Sequence, residues 1–154
     1  MNFTSTLTPI EQAVKQLVPT HIDYMLQPVR DGFNWDAAFE DVEPGEWYLV
    51  AFRSKHSATA DEALLTEYDD KARAAAALMP GFLLYFIGTP TQDGHCLSFC
   101  LWRTQQDAHN SARHSAHQAA QSLTHSMFDY YTLERYRVIK HPDQQVQFDS
   151  VPAR

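Results

Sequence analysis

The chain has 154 residues, of which 44% are hydrophobic, 12% aromatic and 20% charged, with a formal net charge of −7 and a pI near 5.5. Its length suits one domain with a single core, and its composition is that of a globular chain rather than a disordered or fibrous one. An acidic balance without clustered Lys and Arg argues against nucleic acid as a partner. No apolar run approaches the roughly 20 residues of a membrane span, so a soluble cytoplasmic protein is expected.

Thr8-Pro9 opens a short amphipathic helix, Ile10–Leu17, which Pro19 stops. An irregular, aromatic-rich arm follows, through Phe33-Asn34-Trp35 to Pro44-Gly45, so residues 1–45 are read as a helix and a wrapping arm. The regular part begins with a strand at Trp47–Arg53 and a helix from about Thr59 to Leu78, rich in Ala, Leu, Glu and Lys and stopped by Pro80-Gly81. Two apolar runs, Phe82–Ile87 and Cys96–Trp102, flank a turn-rich connector and read as a hairpin. Thr104 caps a second helix reaching about Leu123, with Ala108, Ala112, Ala116, Ala119 and Ala120 as an inward stripe. A last strand spans Tyr130–Ile139, and His141-Pro142 begins a polar tail over 141–154.

The order β-α-β-β-α-β across 46–140 predicts an α+β ferredoxin-like domain, with both helices on one face of an antiparallel sheet. Both sheet faces are largely apolar: Leu97, Phe99 and Leu101 alternate with Cys96, Ser98, Cys100 and Trp102. The face away from the helices therefore needs a cover, and a second copy of the chain is the usual one. Cys96 and Cys100, the two cysteines, lie too far apart along a strand to bridge each other and read as small apolar fillers.

The segment Leu101-Trp102-Arg103, the helix carrying Ser115-Ala116-His117 and the strand Leu133–Val138 together resemble the second half of the antibiotic-biosynthesis monooxygenase family, over about residues 46–139. The resemblance implies a homodimeric α+β barrel with a pocket between each sheet and its helices. Within that group it implies either oxygenase chemistry without metal or organic cofactor, or haem held by a helix histidine. Fold alone assigns no reaction.

Of the eight histidines, His109, His114, His117 and His125 crowd the second helix and its exit. His114 and His125 read as surface residues. His117 matches the family pattern and is the first candidate base, or the iron ligand if haem is bound; a kink at Ser111–Ser115 would turn it inward. His109, beside the alanine stripe, is the second. Trp102, Tyr85 and Tyr136 are candidate substrate contacts, each with core packing as its alternative. Arg53, with Arg135 or Arg137, is placed either at an anionic ligand group or in an ion pair with Glu134. Phe33, Trp35 and Phe39 form either a lid or a cover for the sheet edge. Two functions follow: a monooxygenase acting on a small aromatic or quinone-like molecule, or a binding protein for haem or a hydrophobic metabolite.

Overall fold

The computed structural model describes residues 6–143 and 145–152; residues 1–5 of the expected arm and 144 and 153–154 of the expected tail lie outside the described residues. The described chain runs α1 (Pro9–Lys15), a 3-10 turn at Tyr24–Leu26, α2 (Val29–Gly32), α3 (Trp35–Ala38), β1 (Gly45–His56), α4 (Glu62–Ala77), β2 (Phe82–Phe86) and β3 (His95–Trp102). It continues with α5 (Gln105–Ala112), α6 (Ser115–Gln121), α7 (Thr124–Met127), β4 (Phe128–Lys140) and β5 (Val146–Ser150). The five strands form one antiparallel sheet in the order β2-β3-β1-β4-β5. Its first four strands with α4 and α5–α7 make the expected ferredoxin-like α+β unit.

Local chemistry sets the boundaries. Thr8, Asp61 and Thr104 accept a hydrogen bond from a first-turn amide of α1, α4 and α5, the N-terminal partner those helices lack internally. Gly81, at φ +83°, turns the chain from α4 into β2, and a Cβ there would run into the Asp107 side chain. The second predicted helix is divided. Arg113 closes α5, and His114 Nδ1 accepts from the Ala116 amide to cap α6, so the serine-flanked segment breaks where a kink was expected.

Three expectations change. The tail is not wholly irregular, because Val146–Ser150 adds a fifth strand beside β4. The sheet face away from α4–α7 is not bare. The chain's own arm covers it, with Val14, Met25, Val29, Phe33, Trp35 and Phe39 in one buried cluster with Leu49, Ala51, Leu97, Phe99, Leu101 and Val138. Phe33 and Trp35 meet Phe99 at 5.1 and 5.7 Å between ring centroids, and Phe39 meets Trp47 at 5.6 Å. These rings are thus neither a lid nor an edge cover; they roof the sheet.

Polar ties hold that roof. Trp35 Nε1 donates to the Val29 carbonyl at 2.9 Å, and Arg30 Nε to the Val146 carbonyl at 2.7 Å. The buried Lys140 ammonium donates to the carbonyls of Phe39 and Val42. Arg53 Nη1 donates to the Met25 carbonyl at 2.6 Å, while its Nε reaches Glu134 Oε2 at 2.5 Å; Tyr136 donates to Glu134 Oε1 at 2.7 Å. Burial pulls the Glu134 carboxyl up, but these donors and the Arg53 charge outweigh it and hold it below its ordinary value; burial pushes the Tyr136 phenol up to about 12.

Trp35→Ala is expected to cost about 3–5 kcal/mol of folding stability, as large-to-small changes in a core do, measured by denaturant unfolding. Because Glu134 has a lowered folded pKa, its contribution is present above the unfolded carboxylate range and is lost as pH falls through the folded value. Unfolding curves at descending pH should therefore show a larger acid loss in wild type than in Glu134→Gln.

Candidate functional site

The helix-side face of the sheet is set by strand alternation. Tyr48, Val50, Phe52, Ser54 and His56 of β1 point the same way as Cys96, Ser98, Cys100 and Trp102 of β3 and as Tyr131, Leu133 and Arg135 of β4. Between this face and α4–α7 lies a cavity of about 510 Å³, within the range that holds small organic ligands. From above, α4 lines it with Leu65, Asp69, Ala72 and Ala76, one helical stripe; α5 adds Gln105, Ala108 and His109, and α6 adds His117 and Ala120. Small side chains on the helices leave the space that larger ones would fill.

Phe52 is the centre of the floor. It stacks beside Tyr85 at 6.4 Å and lies 6.3 Å from Tyr131 and 6.4 Å from the His117 ring. The His117 ring makes no hydrogen bond among the described residues, and burial, then the nearby His114, lowers its pKa from the ordinary imidazole value. Burial first, and then the charge of Asp69, raise the pKa of both Tyr85 and Tyr131, so these phenols are neutral hydrogen-bonding groups. Burial raises the Asp69 carboxyl, an effect His56 opposes. At the other end His109 meets Tyr48 edge-on at 6.3 Å. Trp102 forms the wall there, its Nε1 engaged with Cys100 Sγ at 3.1 Å, and Phe82 packs on it at 5.5 Å. Burial pushes the free thiols of Cys96 and Cys100 up to about 11, which keeps them protonated.

The cavity thus gathers four of the residues read from the sequence: His117, His109, Trp102 and Tyr85. Arg53 and Tyr136 do not belong to it. Both lie on the opposite face, where Arg53 forms the ion pair with Glu134 weighed as its alternative and ties down the arm. Their strand parity places them there: Arg53 alternates with Phe52, and Tyr136 pairs with Leu49 of the roofed face. Tyr48, Phe52, Asp69 and Tyr131 were missed. The first two follow from alternation along β1, and Asp69 from the spacing of Leu65, Ala72 and Ala76 on α4.

The fit to haem is poor. An uncharged His117 suits iron ligation, but among the described residues Arg135 is the single Lys or Arg side chain lining the cavity, against two haem propionates. Among the described residues no group of three or more His, Cys, Asp or Glu side chains is arranged to hold a metal ion. No described helix is long and apolar enough to cross a membrane.

Comparison with solved structures gives the same fold at low identity. Protein SO0527 from Shewanella oneidensis superposes with a TM-score of 0.54 at 9% identity, over 63% of this chain and 96% of that one. A protein named as a candidate antibiotic biosynthesis monooxygenase from Caulobacter crescentus gives 0.50 at 18%, over 60% and 88%. SnoaB, a cofactor-independent oxygenase from Streptomyces nogalater, gives 0.48 at 11%, over 58% and 89%. These likenesses show a shared ferredoxin-like α+β fold, and in each pairing more than a third of this chain has no counterpart. No curated protein matches the sequence. A family profile matches residues 3–150, and the chain belongs to the PB2B2.08-like family.

Proposed function

We propose that the chain is a cofactor-independent monooxygenase acting on a small aromatic or quinone-like molecule in the cavity beneath α4–α7. The observation that carries this reading is a half-buried imidazole without a hydrogen-bond partner, lowered in pKa and facing a floor of Phe52, Tyr85 and Tyr131. A phenolic substrate lying on that floor gives its proton to His117, and the resulting phenolate is electron-rich enough to reduce dioxygen. One oxygen atom stays on the ring as a new carbonyl and the other leaves as water; the substrate loses its phenolic and ring hydrogens as the two protons of that water and supplies all four electrons that dioxygen takes up. Tyr85 and Tyr131 donate to its ring oxygens, Trp102 walls the far end, and His109 serves as a second proton carrier near Tyr48.

All of these side chains come from one chain, so the site does not depend on assembly. The homodimer expected from the sequence belongs to this proposal with a changed contact. Two sheets can meet face to face only if the arm leaves or is exchanged between copies, and a dimer with the arm in place uses another surface. A cytoplasmic location goes with this reading, supported by two unpaired thiols on one strand.

The second reading is a non-enzymatic protein that holds a hydrophobic metabolite. The neutral phenols favour it, since Tyr85 and Tyr131 orient a ligand without taking part in proton transfer.

Oxygen uptake across a panel of naphthols and hydroquinones separates the two. The monooxygenase reading expects turnover that His117→Ala lowers by about 10²-fold or more, the scale of a lost general base. Since the base acts neutral and its pKa is lowered, the rate is expected to hold at pH values where an ordinary imidazole is already protonated, then fall in stronger acid. Binding without oxygen uptake in wild type selects the second reading. Haemin titration is expected to give no Soret shift that His117→Ala abolishes, because the described residues lining the cavity include one Lys or Arg, Arg135, for two propionates.

A further inference from the structure

The α5 end of the cavity contains two polar groups that the oxygenase chemistry leaves idle. Tyr48 is 2% exposed, lines the cavity, and its Oη is the one buried side-chain polar atom without a hydrogen-bond partner among the described residues. The Gln105 side chain is near enough to act on this hydroxyl and lower its pKa, without a hydrogen bond of ordinary distance and angle. Buried polar atoms are almost always satisfied, so an orphaned hydroxyl on a residue of the cavity wall marks a place where an acceptor is missing.

Arg135 lines the same cavity. Of the strand arginines, Arg53 is paired with Glu134 and Arg137 with Glu46, whereas Arg135 makes no ion pair or side-chain hydrogen bond among the described residues. Tyr48 pairs with Arg137 across β1 and β4, which makes Arg135 its diagonal neighbour on the same face, at roughly the 7–8 Å usual for such pairs. The Arg135 charge acts on the Tyr48 phenol, opposing the larger rise in pKa that burial causes. The acid lining the cavity, Asp69, lies toward His56, Tyr85 and Tyr131 at the opposite end and does not neutralise Arg135.

We infer that Tyr48 and Arg135 form a carboxylate-binding subsite, so that the ligand of this cavity is an aromatic acid held with its carboxylate at the α5 end and its ring over Phe52. A guanidinium presents two parallel N–H donors that match the two oxygens of a carboxylate, and the Tyr48 hydroxyl supplies a third donor from the strand floor. Apolar surface between the two ends, with Val50, Phe52 and Leu133, suits the ring system that separates the acid from the oxidised position. The inference rests on the cavity being the ligand site and adds which class of ligand it takes.

The test compares 2-naphthoate with 2-naphthamide, two probes of one shape that differ in charge, by calorimetric titration of wild type, Arg135→Gln and Tyr48→Phe. Wild type is expected to prefer the acid by about tenfold or more, a preference that Arg135→Gln reduces to about twofold or less and Tyr48→Phe weakens by about fivefold. Thermal melts without ligand give an independent readout. An unsatisfied hydroxyl contributes nothing to the empty protein, so Tyr48→Phe is expected to melt at or above the wild-type temperature, and a lower melt would show a structural bond and overturn the subsite. Equal binding of the two probes to wild type, or an acid preference that survives in Arg135→Gln, overturns the inference and leaves the cavity reading standing. Binding of neither probe removes the cavity reading, and the subsite with it.

Discussion

A sheet that is apolar on both sides cannot leave either side in water, and the burial of its second face is the constraint on which the rest of this chain depends. The arm meets it with side chains of its own. Trp35, Phe39 and Phe33 are almost fully withdrawn from solvent; Phe33 packs edge-on against Phe99 and Phe86 and Phe39 against Trp47, while Trp35 lies tilted on Phe99. Because the arm has little regular structure, its backbone groups need partners. Lys140, Arg53 and Arg30 reach from strands and arm to the carbonyls of Phe39, Val42, Met25 and Val146. An apolar contact that is also pinned at its carbonyls does not slide, and it leaves the helix-side face free to specialise.

That specialisation is visible in the contrast between the two faces. The roofed face is filled by large rings and branched aliphatics. The helix-side face carries aromatic residues of similar bulk, but the helices above it offer small side chains at many contact positions, among them Ala72, Ala76, Ala108, Ala112 and Ala120, so the two layers do not fill the gap between them. The same division separates the charged groups. Arg53 and Glu134 are consumed in holding the arm, whereas Arg135, one residue from Glu134 and hence on the other face, faces the cavity. One step of strand alternation decides whether an arginine is structural or free for a ligand.

The break between α5 and α6 connects fold to chemistry. An unbroken helix would carry His117 round toward solvent. Ending α5 at Ala112 and restarting at Ser115, with His114 as the cap, resets the helical phase and brings the imidazole to Phe52. Two histidines three residues apart thereby acquire different roles: His114 is an exposed cap, and His117 lines the cavity with its charge disfavoured by burial.

From the sequence alone, the order of the first four strands and the helices between them, and the inward turn of His117 at a break near Ser111–Ser115, were legible. Each rests on a local period or a local breaker that neighbouring residues carry in full. Three features were not. The roofing of the second face by Phe33, Trp35 and Phe39 joins segments tens of residues apart, and an arm without a period does not announce its target. The fifth strand, Val146–Ser150, is too short and too polar to signal itself and is held by pairing with β4 and by Arg30 and Asp36 of the arm. The sorting of Arg53 and Tyr136 away from Arg135 and Tyr131 depended on the register of β1 against β4, which only the assembled sheet decides, because a shift of one residue exchanges every side chain between the roof and the cavity.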